Sequence, residues 1–123
     1  MPSPSANATP AVYLILPDRH ERARLGTLIA RHGFTVREFP SIAEFHGAVV
    51  PAPGCVVVEL DGPEAYELLE RLQARTSPIP AIAIADAGDV SGAVRAIHAG
   101  ASALIESPCA GGMLMRELRR LVS

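Results

Sequence analysis

At 123 residues, 49% of them hydrophobic, the chain has material for one buried core and no room for a second domain. A formal charge of −2 and dispersed arginines leave no basic stripe for nucleic acid, and the complete absence of lysine removes P-loop phosphate capture and Schiff-base catalysis. No apolar run reaches the length of a membrane span, and the Pro-, Ser- and Ala-rich residues 1–10 lack the basic start and apolar stretch of a secretion signal, so they read as a flexible tail before one domain at 11–123, with a cytoplasmic location expected.

Val12–Leu16 is a near-continuous apolar run, the pattern of a strand covered on both faces. Asp18 and Glu21 then form a capping-box pattern for a helix with Leu25, Leu28 and Ile29 on one stripe, stopped at Gly33. Phe34–Glu38 alternates like a short edge strand, and Ser41 with Glu44 opens a second helix predicted to run to about Val49.

After Pro51, Pro53 and Gly54, Cys55–Val58 is a second fully buried strand. Asp61-Gly62-Pro63-Glu64 supplies a turn, with Asp61 as N-cap, for a helix to about Arg75 whose inward face is Tyr66, Leu69 and Leu72, flanked by Leu68. Ala81–Ala85 is the fourth strand, Asp89 caps a helix to His98, and Gly100 ends it. Ala103–Glu106 is the fifth strand, and a last helix from about Gly112 to Val122 carries Leu114, Leu118 and Leu121 on one stripe. Strands alternating with helices predict a doubly wound α/β fold, a flavodoxin-like three-layer sandwich with parallel strand order 2-1-3-4-5.

Cys55 and Cys109 are too few and too distant for a disulfide framework; Cys55 reads as core and Cys109 as exposed. His20, His32, His46 and His98 lack zinc-ligand spacing. In such folds the crevice beyond the carboxyl ends of the strands is the default ligand site. Here those ends carry Leu16-Pro17, Glu59, Ala85 and Ser107, which offer little chemistry.

Gly88-Asp89-Val90, Ala93-Val94, Ala96, Ala99-Gly100-Ala101 and Ile105-Glu106-Ser107-Pro108 resemble the receiver domain of bacterial response regulators, the FixJ-like group above all. Arg31-His32-Gly33-Phe34, the Ser41–Phe45 helix start, Glu67-Leu68-Leu69 and Ile79-Pro80 extend the resemblance over roughly residues 11 to 122. The resemblance implies a domain that accepts a phosphoryl group on an aspartate ending the third strand, aided by an acidic pair that holds Mg²⁺, a Ser/Thr and a lysine. It also implies where this chain departs. Leu16-Pro17 stands at the acidic pair with Asp18 beside it, Glu59 at the acceptor, Ala85 at the Ser/Thr, Ser107 at the lysine, and Leu104 at an aromatic position, while the loop after Glu59 is about two residues short.

On this reading the chain is a pseudo-receiver in a two-component pathway, not an enzyme, with Mg²⁺ binding weak or lost. It would act through a protein partner, such as a histidine kinase or another response regulator. The face of the fourth helix, fifth strand and fifth helix is the candidate surface, with Arg95, His98, Leu104, Met113, Arg116, Arg119 and Arg120 available for a homodimer or a partner and Met115 adding apolar contact. Glu59 as a phosphomimetic and Asp61 as a replacement acceptor are sharper alternatives. So is a flavodoxin-like ligand-binding module of the cobalamin kind, suggested by Asp18, His20 and Gly111-Gly112 although Ala23 replaces that motif's glycine. A receiver fragment of a FixJ-like transcription factor is the remaining alternative.

Overall fold

Along three strands Val12, Leu14, Cys55, Val57, Ile82 and Ile84 alternate with Tyr13, Ile15, Val56, Val58, Ala81 and Ala83, and every one of these side chains is buried. A sheet apolar on both faces needs helices on both. The computed structural model describes residues 10–46 and 54–122. The predicted tail up to residue 9, the extension of the second helix toward Val49, and Pro51 and Pro53 lie outside them.

The order is β1 (Ala11–Ile15), α1 (Arg19–Arg31), β2 (Thr35–Phe39), α2 (Ile42–Phe45), β3 (Gly54–Glu59), α3 (Pro63–Ala74), β4 (Ala81–Asp86), α4 (Val90–Ala99), β5 (Ala103–Ser107) and α5 (Gly111–Val122). All strand pairs are parallel, in the order β2-β1-β3-β4-β5. The predicted doubly wound fold is therefore the observed one.

Each sheet face has its own core. On one face Leu25 and Ile29 of α1 and Leu114, Met115 and Leu118 of α5 pack on Val12, Leu14, Cys55, Val57, Ile82 and Ile84. On the other, Phe45 of α2, Leu68, Leu69 and Leu72 of α3 and Ala96 of α4 pack on Tyr13, Ile15, Val56, Val58 and Ala83. Tyr13, Phe39 and Phe45 form an aromatic triad there, with centroids 5.4 to 6.4 Å apart. Truncating one such aliphatic side chain to alanine costs about 2–5 kcal/mol.

Helix starts follow the sequence closely. Asp18, Ser41 and Asp89 each accept from the backbone N–H three residues on, at 2.9, 3.2 and 2.9 Å. Glu21 turns its carboxylate to Arg24 instead of completing a reciprocal capping box. Gly100 ends α4 in the left-handed region at φ 111°, where an added Cβ would lie 2.9 Å from Cβ of Gln73.

Several expectations need correction. Asp61 is not a cap: Gly62, at φ 96°, takes the N-cap position of α3 without a side-chain bond, because Pro63 needs no amide partner and the turn is made by the glycine. Ala65 and Leu68 join Leu69 and Leu72 on the inward face of α3, whereas Tyr66 is only half-buried because its ring turns toward α4. The edge strand begins at Thr35 and includes buried Phe39, while Phe34 lies before it and packs against the α1/α5 core. Cys109 is buried, not exposed, since the loop after the cis Ser107–Pro108 bond directs it into that same core. Met115 is 3% exposed and serves as core, leaving Met113 at 50% as the surface methionine of α5.

Candidate functional site at the strand ends

Parallel strands in this order bring the ends of β1 and β3 together, with Ile15 paired to Val58 and Glu59 immediately beyond. Glu59 also pairs in register with Ile84, which sets Ala85 and Asp86 at the neighbouring strand end, and Asp86 is in turn opposite Ser107. The topology thus gathers Pro17, Asp18, Glu59, Asp61, Ala85, Asp86 and Ser107 around one end of the sheet.

Their roles differ. Leu16 is 1% exposed and belongs to the α1/α5 core, so it lends the site only its backbone, whose carbonyl accepts from Arg22 Nη1 at 2.7 Å. Pro17 is exposed and its carbonyl accepts from the same guanidinium at 3.3 Å. Asp18 caps α1, and the Glu21 backbone N–H holds its carboxyl below the ordinary value. Ala85 is buried, Ser107 half-buried and Asp61 exposed.

Glu59 is half-buried, and its carboxyl is pushed up, first by desolvation and then by the negative charges of Asp61, Asp86, Asp18 and Glu21. All of these neighbours are carboxylates. Beside Glu59 lies a cleft of about 350 Å³, walled by Ile15, Pro17, Pro40 and Ile42 and bordered by Ser41, His46, Asp61 and Glu64. A separate hollow of about 130 Å³ between β4, α4 and β5 is lined by Ala85, Asp86, Asp89, Val94, Leu104 and Glu106.

The outer face near α4 and α5 is built otherwise. Val90, Val94 and Ile97 follow one another at helical spacing and are 72%, 49% and 51% exposed. Leu104 is half-buried, and His98, Arg116 and Arg119 are exposed. Arg120 pairs with Glu117 at 2.8 Å and reaches the Ser102 carbonyl at 3.4 Å. Arg95 lies over the Tyr66 ring, so its charge is engaged within the chain.

No family model matches the chain. It is 32% identical over 117 residues to the C4-dicarboxylate transport transcriptional regulatory protein DctD of Rhizobium meliloti (strain 1021), covering 93% of this chain and 25% of that protein. It is 36% identical over 100 residues to the transcriptional regulatory protein FixJ of Bradyrhizobium diazoefficiens, covering 79% and 49%. The chain therefore spans half or less of the length of these relatives. Among solved structures, FixJ-N superposes with a TM-score of 0.82 at 28% identity over 94% of both chains. The chain is a receiver domain of the FixJ-like kind. A response regulator receiver protein from Pseudoalteromonas atlantica gives a TM-score of 0.81 at 28% identity, covering 92% of this chain and 97% of that one.

Receiver chemistry implies Mg²⁺, and the donors of this receiver do not fit it. Leu16 and Pro17 bring no side-chain oxygen, Asp18 uses an oxygen for capping, and among the described residues no three His, Cys, Asp or Glu are placed to hold a metal ion. Sequence reasoning placed Glu59, Asp61, Ala85 and Ser107 at this receiver's strand ends. It missed Asp86, for which its position directly after Ala85 was the available signal, and Ser41, His46 and Glu64, whose approach to Glu59 depends on how α2 and α3 pack. Among the described residues no helix is long and apolar enough to cross a membrane.

Proposed function

We propose that this receiver domain signals by binding another protein and not by accepting a phosphoryl group. The observation that carries the reading is the surroundings of Glu59, which is half-buried with only carboxylates as its charged neighbours, so that burial first and then four negative charges raise its proton affinity. Ala85 and Ser107 stand there in place of the hydroxyl and lysine of the family pattern. A phosphoryl group on a carboxylate puts roughly two negative charges where one stood. With no lysine anywhere in the chain and with poor metal donors, that charge would go unbalanced. On this reading the chain is a non-enzymatic pseudo-receiver in the cytoplasm, and packing alone sets its conformation.

The partner-binding surface is the α4–β5–α5 face, supported by the Val90, Val94 and Ile97 stripe. Asp86, Asp89 and Glu106 lie at one end of this face, and His98 and Arg120 lie toward the other. A second copy turned about a two-fold axis would set unlike charges opposite each other around the apolar stripe, so a homodimer is the first assembly to test.

Incubation with acetyl phosphate and Mg²⁺ followed by intact mass measurement is the direct experiment. An unchanged mass is expected, and a phosphoryl adduct on Glu59 or Asp61 would overturn the reading. Sedimentation of the parent chain and of Val94→Asp tests the surface, with loss of self-association expected in the variant.

A further inference from the structure

The cleft between the ends of β1 and β3 and the starts of α2 and α3 is separate from the α4–β5–α5 face. Its volume, about 350 Å³, is at the small end of ligand pockets, which run roughly 300–1,000 Å³. The walls are apolar, formed by Ile15, Pro17, Pro40 and Ile42, while three carboxylates, Glu59, Asp61 and Glu64, stand along one side. Among the described residues no arginine lines it, and His46 is the one basic side chain at its border. Arg22 beneath the β1–α1 turn is occupied by the Leu16 and Pro17 carbonyls and by Glu38, and Arg71 lies 3.5 Å from the His46 ring nitrogen.

An apolar slot with uncompensated carboxylates on one side calls for an occupant with a hydrocarbon stem and a cationic head. A guanidinium meets that need better than an ammonium, because its planar fork can bind carboxylates bidentately and its faces pack on flat apolar surface such as the rings of Pro17 and Pro40. The rim argues for a side chain delivered by another protein. Pro17, Pro40, Ala43, Asp61 and Glu64 are all exposed around the opening, leaving room for a peptide backbone to lie across it.

We propose that this cleft is a docking site for an arginine side chain presented by a protein partner. The proposal goes beyond the reading above and does not depend on it, since a chain able to accept phosphate could use the same cleft. Burial is the first cause of the raised Glu59 proton affinity, and the charges that add to it, on Asp61, Asp86, Asp18 and Glu21, are all negative, a repulsion that a bound cation would relieve.

The test uses the full chain, isotopically labelled, titrated with a blocked arginine tripeptide, with agmatine, and with MgCl₂. Saturable shifts at Ile15, Ile42, Glu59 and Asp61 are expected with the peptide, weakened about tenfold in Glu59→Gln and in Asp61→Asn by loss of a charge-assisted hydrogen bond. Asp61 is exposed, so its variant should fold even if the Glu59 variant does not. Agmatine binding as tightly as the peptide would assign the cleft to a small amine and overturn the partner assignment. Equal shifts with MgCl₂ would make it a metal site, and peptide binding unaffected by either substitution would place the contact elsewhere; both results overturn the proposal.

Discussion

Arg95 of α4 holds its guanidinium carbon 4.1 Å from the centre of the Tyr66 ring on α3. The contact fastens two helices on the same sheet face, and it removes from the α4 surface a cation that sequence reasoning had left free. A cation over an aromatic face at a partly exposed site contributes about 0.5–1 kcal/mol. A double-mutant cycle with Tyr66→Leu and Arg95→Gln, followed by urea denaturation, is expected to return a coupling of about that size. Strictly additive losses would show that the two side chains are neighbours without an energetic link.

Glu59 should make stability depend on pH in the direction opposite to most carboxylates. Its folded proton affinity is above the ordinary glutamate value of 4.5, so the native state binds more protons than the unfolded chain as pH rises past that value. Its contribution is fully present below the unfolded value and is lost as pH rises through the folded one. Glu59→Gln is therefore expected to melt higher than the parent at neutral pH, with the two curves converging in acid. A variant that melts lower at neutral pH would reveal a cation holding the Glu59 carboxylate.

The two thiols should be nearly inert in the native protein. Burial pushes Cys55 up to about 12 and Cys109 up to about 11, so little thiolate exists near neutral pH, and both side chains are almost fully enclosed. Reaction with Ellman's reagent is expected to be slow until denaturant is added. Fast labelling of Cys109 in native buffer would mean that the loop after Pro108 opens readily.

The ends of α4 supply a fourth check. Asp89→Ala removes an N-cap bond and should cost about 1 kcal/mol. Gly100→Ala forces a side chain into the left-handed region against Gln73 and should cost about 1–2 kcal/mol. Denaturation midpoints of the single and double variants should show the two losses adding, since the positions lie at opposite ends of the helix.

The fold was legible because its signals are local and agree with one another. Apolar runs such as Val12–Leu16, caps such as Asp89 and stops such as Gly100 each point to the same alternation. Errors arose where tertiary packing decides. The burial of Cys109 depends on the path of a loop, and the orientation of Tyr66 depends on an arginine 29 positions later, at 95, reaching back across a helix pair. The site was half legible for the same reason. Strand ends can be read from the runs that precede them, but the walls that α2 and α3 place beside Glu59 come from residues distant in sequence.

The outer strand β2 leaves Thr35, Arg37 and Glu38 exposed, with Arg37 5.6 Å from the Phe39 ring centre and Glu38 3.7 Å from Arg22. Charges along a sheet margin oppose the backbone pairing through which one molecule recruits the next into a ribbon. At the opposite margin Glu106 of β5 is likewise exposed. Copies of this chain are thus steered away from open-ended fibres. Backbone pairing is discouraged at both margins, which leaves the helix surfaces as the faces open to contact.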